Sequence, residues 1–286
     1  MKLSKYVPGA RRVRFGAASV ATVGLFSAGL LVALVGGAQA APTPVPLGTA
    51  ASFAVLAGAG ITNTGPTTVN GDIGTFPTTT ITGLATLTVN GTNHGGDAVT
   101  QQAKTDLVTA YNNAAGQGPP TPIAADLGGQ TLTPGVYNSA SSIGLTGALT
   151  LNAGGDPNAV FVFQAGSTLT TGSASSVNLI NGAQWCNVFW QIGSSATLGT
   201  GSSFRGTIIA LTSITLTTGA TVDGRVLARD GAVTLDTNTI TRSTCIPTST
   251  TTTSTTTTTP TTTTAPTTTR PRPRRPSPPR RIGLTG

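Results

Sequence analysis

The stretch that decides the fold is a pair of adjacent segments, ATLGTGSSFRG at 196–206 and ITLTTGATVDG at 214–224. The second repeats the first at an offset of 18 residues, and a third, partial copy sets Thr234 and Thr239 at the same offset beyond Leu216 and Thr221. Each copy has short alternating strands joined by glycine corners. One such unit cannot bury its apolar side alone, whereas stacked units share a continuous core. The repeat therefore predicts coils of parallel β-strands stacked about 4.8 Å apart.

The composition suits thin β layers better than a thick globular core. Glycine supplies 37 of the 286 residues, aromatic residues make up 5% and charged residues 8%. Small and β-branched side chains repeated in register pack well between stacked strands. Looser copies of the repeat at 160–172 and 188–201 extend the same architecture upstream.

The net charge of +8 belongs to the two ends of the chain. Five basic residues precede residue 41 and six follow residue 269, whereas the region between them carries a net charge of −3. A fold that binds nucleic acid would carry a clustered basic face in its folded part. We therefore expect no nucleic-acid partner. The basic tail could instead contact anionic polymers of the cell envelope.

Residues 1–40 have the pattern of a signal peptide. A basic region runs to Arg14, an apolar stretch extends from about Phe15 to Val35, and Ala38-Gln39-Ala40 forms an A-x-A cleavage site. The alternative is a retained anchor, because the apolar stretch is nearly long enough to span a membrane. Cleavage is favoured by the small residues, so we expect a secreted protein that meets the membrane only transiently and could stay associated with the envelope.

The rest of the chain divides by composition. A Pro-rich lead-in at 41–46 precedes a folded domain at 47–246. Residues 247–269 are almost pure threonine with interspersed proline, and 270–286 are rich in proline and arginine. Such tracts have nothing to bury, which predicts a disordered stalk followed by a basic tail.

One segment departs from the β pattern. Residues 97–115, DAVTQQAKTDLVTAYNNAA, set apolar side chains at helical spacing, namely Ala98, Ala103, Leu107, Ala110 and Tyr111. Asp97 can cap the amino terminus of this helix and Gly116 can end it. We predict a single helix of about five turns that lies along the coils, because its apolar side needs cover.

Two cysteines, Cys186 and Cys245, are present. Export would place them in an oxidising compartment, where they could form one disulfide. Closing a loop of about 60 residues would stabilise the fold by roughly 4 kcal/mol. The alternative is two separate thiols, one of them acting as a small buried hydrophobe.

Residues that could support catalysis are scarce. His94 is the only histidine, glutamate is absent, and neither a G-x-S-x-G elbow nor a Cys/His metal spacing occurs. We therefore expect no enzyme activity, no cofactor and no metal, with His94 in a solvated loop before the helix. Asp223 and Arg225 are expected to pair on the surface. Trp190 should lie in the core and Trp185 at a partly exposed edge, where stacking on a sugar is an alternative role.

Five ordered segments resemble the ice-binding-protein-like family of bacteria and fungi. They are AGAGITNTGPT at 57–67, NGDIG at 70–74, LTPGVY at 132–137, GDPNAVFVF at 155–163 and LINGA at 179–183. The resemblance covers about residues 47–242. It implies a mainly β fold, an irregular right-handed β-helix (a β-solenoid) of triangular section, with one long α-helix packed alongside. It also implies that the order of the coils in space differs from their order in the chain.

The resemblance further implies an ice crystal surface as the partner, contacted through a flat face with a Thr-Ala/Gly-x-Thr/Asn pattern. Segments 64–67 and 218–221 match it fully, and 200–203 ends in serine. Segment 171–174 lacks the last hydroxyl, and 236–239 begins with aspartate. The predicted ice-binding residues are Thr64, Thr67, Thr171, Thr200, Ser203, Thr218, Thr221 and Thr239. The alternative for all of them is corner chemistry, since glycine suits a turn and threonine suits a strand flank.

Two functions therefore remain open. The first is a secreted or surface-displayed protein that binds ice, as an antifreeze or as an inhibitor of ice recrystallisation. The alternative is a cell-surface adhesin or envelope-structural module that binds polysaccharide or neighbouring cells. Either function needs the domain held away from the envelope, so the stalk suits both. If the 18-residue register is structural, Thr200 lies near Thr218, and Ser203, Thr221 and Thr239 form one row.

Overall fold

The computed structural model describes residues 41–246. They comprise the predicted lead-in (41–46) and the predicted folded domain (47–246). The predicted signal peptide (1–40) and the predicted stalk and tail (247–286) lie outside the described residues. The described part contains 22 short strands, one α-helix and three 3-10 helices. No helix within it is long and apolar enough to cross a membrane.

The helix α1 spans Ala98–Gly116, and the 3-10 helices span Gly48–Ser52, Leu84–Thr86 and Trp185–Asn187. In chain order the first eleven strands are β1 (Phe53–Ala57), β2 (Ile61–Asn63), β3 (Thr67–Asn70), β4 (Asp72–Thr75), β5 (Ile81–Thr82), β6 (Leu87–Val89), β7 (Asn93–Gly95), β8 (Thr121–Pro122), β9 (Thr131–Leu132), β10 (Gly135–Ser139) and β11 (Ile143–Leu145). The others are β12 (Ala148–Asn152), β13 (Phe161–Ala165), β14 (Leu169–Thr171), β15 (Ser176–Ile180), β16 (Val188–Ile192), β17 (Ala196–Leu198), β18 (Ser203–Ala210), β19 (Ile214–Leu216), β20 (Thr221–Ala228), β21 (Val233–Leu235) and β22 (Thr239–Thr241).

All of the strand pairings described are parallel, as stacked coils require. A typical coil contributes three strand segments, one to each of three stacks. The helix face holds β8, β10, β13, β16, the second halves of β18 and β20, β1, β4 and β7. The threonine face holds β11, β14, β17, β19, β21, β2 and β5. The third face holds β9, β12, β15, the first halves of β18 and β20, β22, β3 and β6. The fold is therefore mainly β and parallel, with one helix, as predicted.

The coils do not stack in chain order. β21 pairs with β2, β22 with β3 and β20 with β1, so the first coils of the domain stack on its last coils. We call this junction the seam. Hydrogen bonds to threonine side chains cross the seam. The Asn238 backbone N–H donates to Thr67 Oγ1 at 3.1 Å, and the Asn70 side-chain amide donates to Thr241 Oγ1 at 3.0 Å. The order implied by the family resemblance is thus confirmed.

The 18-residue register holds between most of the central coils but breaks near the seam. Ser203 pairs with Thr221, and Thr221 with Thr239, whereas Thr215 pairs with Thr234 at an offset of 19. The corner at 229–232 contains one extra residue, and the corner after Leu235 contains one fewer. The predicted alignment of Thr234 with Leu216 is therefore wrong by one residue, and Leu235 takes the inward position.

Inward side chains of the three faces form one narrow core. On the threonine face they are apolar at nearly every level, for example Ile214 and Leu216 in β19. Toward the β10 end of the core, four rings stack through successive coils, in the order Tyr137, Phe163, Trp190 and Phe204, with centroids 4.0–5.4 Å apart. The Trp190 indole N–H donates to the Arg205 carbonyl at 3.1 Å, so its polar edge is satisfied. Trp190 is fully buried, as predicted.

The helix covers the outer side of the helix face. Asp97 caps it by accepting from the Thr100 N–H at 2.9 Å, as predicted. Ala103, Leu107, Ala110 and Ala114 are buried in one cluster with outward side chains of the underlying strands, namely Val162, Phe189, Ile209 and Leu227. Ala98 is exposed and Tyr111 only half-buried, so the contact stripe is narrower than predicted. Small alanines let the helix approach the strands closely.

Two buried cations anchor this side of the domain. Lys104 on the helix donates to the carbonyls of Ala228, at 2.7 Å, and Arg229. Arg225 donates to the Ala51 carbonyl at 3.0 and 2.8 Å and to Ser243 at 2.7 and 2.9 Å. The predicted surface pair of Asp223 with Arg225 is therefore wrong. Arg225 lies past the corner at Gly224, on the outer side of the helix face, where Ala51 and Ser243 bury it. Asp223 lies 3.4 Å from Arg205 instead.

Replacement of Lys104 by methionine tests the helix anchor. Burial lowers the pKa of the Lys104 ammonium group from 10.5 to about 8. Between pH 8 and 10.5 the unfolded chain binds more protons than the folded protein, so the free energy of unfolding should rise with pH. The rise should reach up to about 3 kcal/mol.

The measurement is urea unfolding of the protein and of Lys104→Met across this pH range. Since methionine does not titrate, the difference in slope isolates Lys104 from the other groups. Identical slopes in the two proteins would contradict the account of this anchor.

Candidate functional site

The middle residue of nearly every strand on the threonine face points outward, because the residues on either side of it are buried. In five of the seven strands this residue is a threonine, exposed or half-buried, and in the two-residue strand β5 the exposed Thr82 pairs with Thr62. We call these six the central row, which runs through Thr170, Thr197, Thr215, Thr234, Thr62 and Thr82. Gly144 continues the row at one end. At the spacing of paired strands the six threonines extend over about 24 Å.

The hydroxyl groups of the central row are free. Within residues 41–246 none of the six forms a hydrogen bond with another side chain or with the backbone. A threonine on a strand has few allowed χ1 rotamers, so its methyl and hydroxyl groups are held in narrow ranges of position. Each hydroxyl can donate one hydrogen bond and accept two. The row therefore presents regularly spaced, rigid groups whose hydrogen-bonding capacity is directed to water.

A second outward row lies at the start of the third face. It runs through Ala148, Ser176, Ser203, Thr221, Thr239, Thr68 and Thr88, and we call it the flanking row. The predicted alignment of Ser203, Thr221 and Thr239 is confirmed. Their side chains are small, so the flanking row adds hydroxyl and methyl groups without projecting bulk.

Corner residues separate the two rows. Thr200 and Thr218 are exposed and adjacent, since the Gly201 N–H donates to the Thr218 carbonyl at 3.0 Å. Their hydroxyls are engaged, Thr200 with Thr217 Oγ1 at 3.3 Å and Thr218 with the Asp236 carboxylate. Thr64 is also exposed and donates to the Leu235 carbonyl at 3.2 Å. The corners are therefore more internally hydrogen-bonded than the central row.

Two of the predicted ice-binding residues face inward. Thr67 is buried and accepts from the Asn238 N–H, while its neighbour Thr68 takes the outward position. Thr171 is buried at the level of Leu145 and accepts from the Gly199 N–H at 2.8 Å. The reason is register: segment 64–67 sits one residue earlier in the coil than 218–221, and segment 171–174 sits two residues earlier than 200–203.

The sequence did contain a signal for the central row. The strands ITN, LTT, ATL, ITL and VTL each place a threonine between inward-facing residues, which is the alternation of a half-buried strand. The Thr-Ala/Gly-x-Thr/Asn pattern does not coincide with these strands, because its small second residue selects turns.

The remaining candidate functional residues, His94, Trp185 and the two cysteines, lie away from the two rows. His94 lies in β7, half-buried, with its ring 5.3 Å from that of Phe53 and its Nδ1 2.9 Å from Asp97 Oδ2. The predicted solvated loop is therefore wrong for His94. In the described range, no group of three or more His, Cys, Asp or Glu side chains could hold a metal. Trp185 is 36% exposed, as predicted, and neither Cys186 nor Cys245 is a free thiol.

The sequence of this chain is similar to those of proteins described as ice-binding. The sequence model of the ice-binding-like family matches residues 55–241. An ice-binding protein of Nostoc sp. (strain HG1) is 55% identical over 199 residues, which cover 69% of this chain and 74% of that protein. An ice-binding protein of Flavobacterium frigoris (strain PS1) is 38% identical over 215 residues, with 69% and 76% covered.

The fold of this chain is also similar to solved structures of ice-binding proteins. The crystal structure of an ice-binding protein from the Antarctic ascomycete Antarctomyces psychrotrophicus superposes with a TM-score of 0.68 at 45% identity, covering 71% of this chain and all of that one. An ice binding protein from an Antarctic biological consortium gives 0.69 at 50% identity, covering 70% and 92%. The chain belongs to the ice-binding-like family.

The inward and outward assignments predict effects of very different size on the free energy of unfolding. Leu216→Ala removes a fully buried side chain and should lower the free energy of unfolding by roughly 2–5 kcal/mol. Thr221→Tyr changes an outward residue of the flanking row and should alter it by no more than about 0.5 kcal/mol. Urea unfolding of both variants checks the pair. A loss for Thr221→Tyr as large as for Leu216→Ala would show that Thr221 points inward.

Proposed function

We propose that the protein binds ice through the threonine face, with the central row in the middle of the contact and the flanking row at its edge. The observation that carries the proposal is the register of six threonines whose hydroxyls have no partner within the described chain. Membership of the family and the relatives named ice-binding proteins support it. The resulting activity would be that of an antifreeze or an inhibitor of ice recrystallisation.

A rigid row of threonines can order water in a way that a flexible surface cannot. Each hydroxyl anchors a water molecule, and water that bridges fixed protein groups costs little further entropy when the groups do not move. The methyl group beside each hydroxyl, on the same Cβ atom, limits the directions in which these waters can bond. The hydroxyls repeat at the strand spacing, so the bound waters also repeat along the row. Water ordered in this way can merge with the lattice of an ice crystal.

The other two faces are less suited to this contact. The helix face is covered by α1. Two residues beyond the flanking row, the third face carries Arg205 and Asp223, whose charges hold their own hydration shells. The central and flanking rows contain no charged side chain in the part of the chain that the structure describes. The threonine face is therefore the surface that we assign to ice.

The alternative of an adhesin or envelope-structural module has less support. It would place a polysaccharide against Trp185, the exposed aromatic residue considered for that role, but no further feature around Trp185 points to a sugar. The comparisons favour ice binding. We propose a protein that acts by adsorption and performs no catalysis.

We also propose the finer architecture that the family resemblance implied. A triangular section is supported by three strand segments per coil, and a right-handed winding by the strong preference of parallel crossovers for that hand. We further propose that Cys186 pairs with Cys245, since neither is a free thiol and the chain has two cysteines.

Secretion is part of the proposal. It is supported by the signal-peptide pattern of residues 1–40 and by the cysteines, which suit an oxidising compartment. The stalk at 247–269 would hold the domain away from the envelope, and the tail at 270–286 would contact anionic envelope polymers.

A tyrosine in the middle of the central row tests the assignment of the face. Thr215→Tyr would project a ring from the row and keep the face from lying flat, so partition of the protein into growing ice should fall about tenfold, a loss of about 1.4 kcal/mol. The matched control is Thr109→Tyr, which makes the same change at an exposed position of the helix. Ice-affinity partition of the two variants and the parent protein gives the comparison. Equal partition of Thr215→Tyr and the parent would place the contact elsewhere.

A further inference from the structure

One charged side chain lies in the corners between the central and flanking rows, within residues 61–88 and 169–241. It is Asp236, at the seam. Asp126 is a different case, because it pairs with Gly144 beyond the end of the threonines. The Asp236 carboxylate lies between two rows of uncharged side chains, where a charged group with its own hydration shell is unexpected.

The contacts of Asp236 are directed along the corner. One carboxylate oxygen accepts from Thr218 Oγ1 of the neighbouring coil, and the other accepts from Thr237 Oγ1 at 3.0 Å. The Asp236 backbone carbonyl also accepts from the Gly219 N–H at 3.2 Å. Both Thr218 and Thr237 are exposed. Asp236 therefore holds two solvent-facing hydroxyls from two coils at once.

The surrounding corner is built to keep this carboxylate in place. Asn238 is buried, accepts from the Asp236 N–H at 2.7 Å and donates to the carbonyls of Thr217 and Ala220 at 2.9 and 3.0 Å. On the other side stands Gly65, where a Cβ atom would come within 2.2 Å of Thr237 Oγ1 and 2.7 Å of Asp236 Oδ1. Glycine is thus needed at position 65 to leave room for the pair.

We propose that Asp236 is a positioning residue of the ice-binding surface. It turns the hydroxyl protons of Thr218 and Thr237 toward its own oxygens, so that these two hydroxyls present only lone pairs to water. A patch that can only accept hydrogen bonds then lies between the flanking row and the central row, whose hydroxyls can both donate and accept, and it fixes the orientation of the water that spans them. The effect on ice rests on the proposed function, whereas the orientation of the two hydroxyls does not.

The test combines two measurements on the parent protein, Asp236→Ala, Asp236→Asn and Asp230→Ala. Scalar couplings and hydroxyl-proton exchange, measured by NMR, report the χ1 rotamers and bonded protons of Thr218 and Thr237. Ice-affinity partition reports adsorption. Asp230→Ala is the control, because it removes the same charge at an exposed site paired with Arg229.

We expect single rotamers and slowly exchanging protons at both threonines in the parent and in Asp230→Ala. In Asp236→Ala we expect averaged rotamers, fast exchange and several-fold weaker partition. Asp236→Asn should be intermediate, because its one amide oxygen can still accept from one of the two hydroxyls.

Two results would overturn the proposal: unchanged rotamers in Asp236→Ala, or averaged rotamers with unchanged partition. Failure of the parent protein to enter ice would instead reject the proposed function, and the rotamer measurement would still decide whether Asp236 orients the two hydroxyls.

Discussion

In-register parallel pairing between successive coils is the constraint on which the rest of the structure depends. Backbone hydrogen bonds fix the spacing of the coils, and strand alternation fixes which side chains face the core. A slip of one residue would exchange the two sets, turning Leu216 outward and Thr215 inward. Because the inward set is apolar at nearly every level, burial holds the outward set in rows. The hydroxyl spacing on the threonine face is thus set by the backbone and held there by the core.

Much of the fold could be predicted from the sequence, because the 18-residue repeat lies within one continuous segment of the chain. The offset of 18 between 196–206 and 214–224 gave the coil length, the parallel stacking and the row of Ser203, Thr221 and Thr239. The helix was predictable because its period and its Asp97 cap are contained in one segment. The order of the coils came from the family resemblance, since no local pattern shows that β2 pairs with β21.

Some features could not be read from spacing alone. Thr67 and Thr171 match the corner motif in letters but sit out of register, Thr67 by one residue and Thr171 by two, and only the pairing of strands reveals this. The extra residue at 229–232 is likewise invisible until the coils are stacked. Arg225 looked like a surface residue beside Asp223, but the corner at Gly224 turns it toward Ala51, about 170 residues away in sequence. Such contacts depend on the closure of the seam.

The protein combines a rigid scaffold with a surface whose hydroxyl groups are free to bind water. Family membership points to ice as the partner, and the free hydroxyls of the central row are the physical reason for proposing this surface as the contact. The most direct test is to grow a single ice crystal from a solution of the fluorescently labelled protein, with labelled serum albumin as the non-binding reference. We expect the protein to be incorporated on defined crystal planes while albumin is excluded. Exclusion of both proteins from the crystal would contradict it.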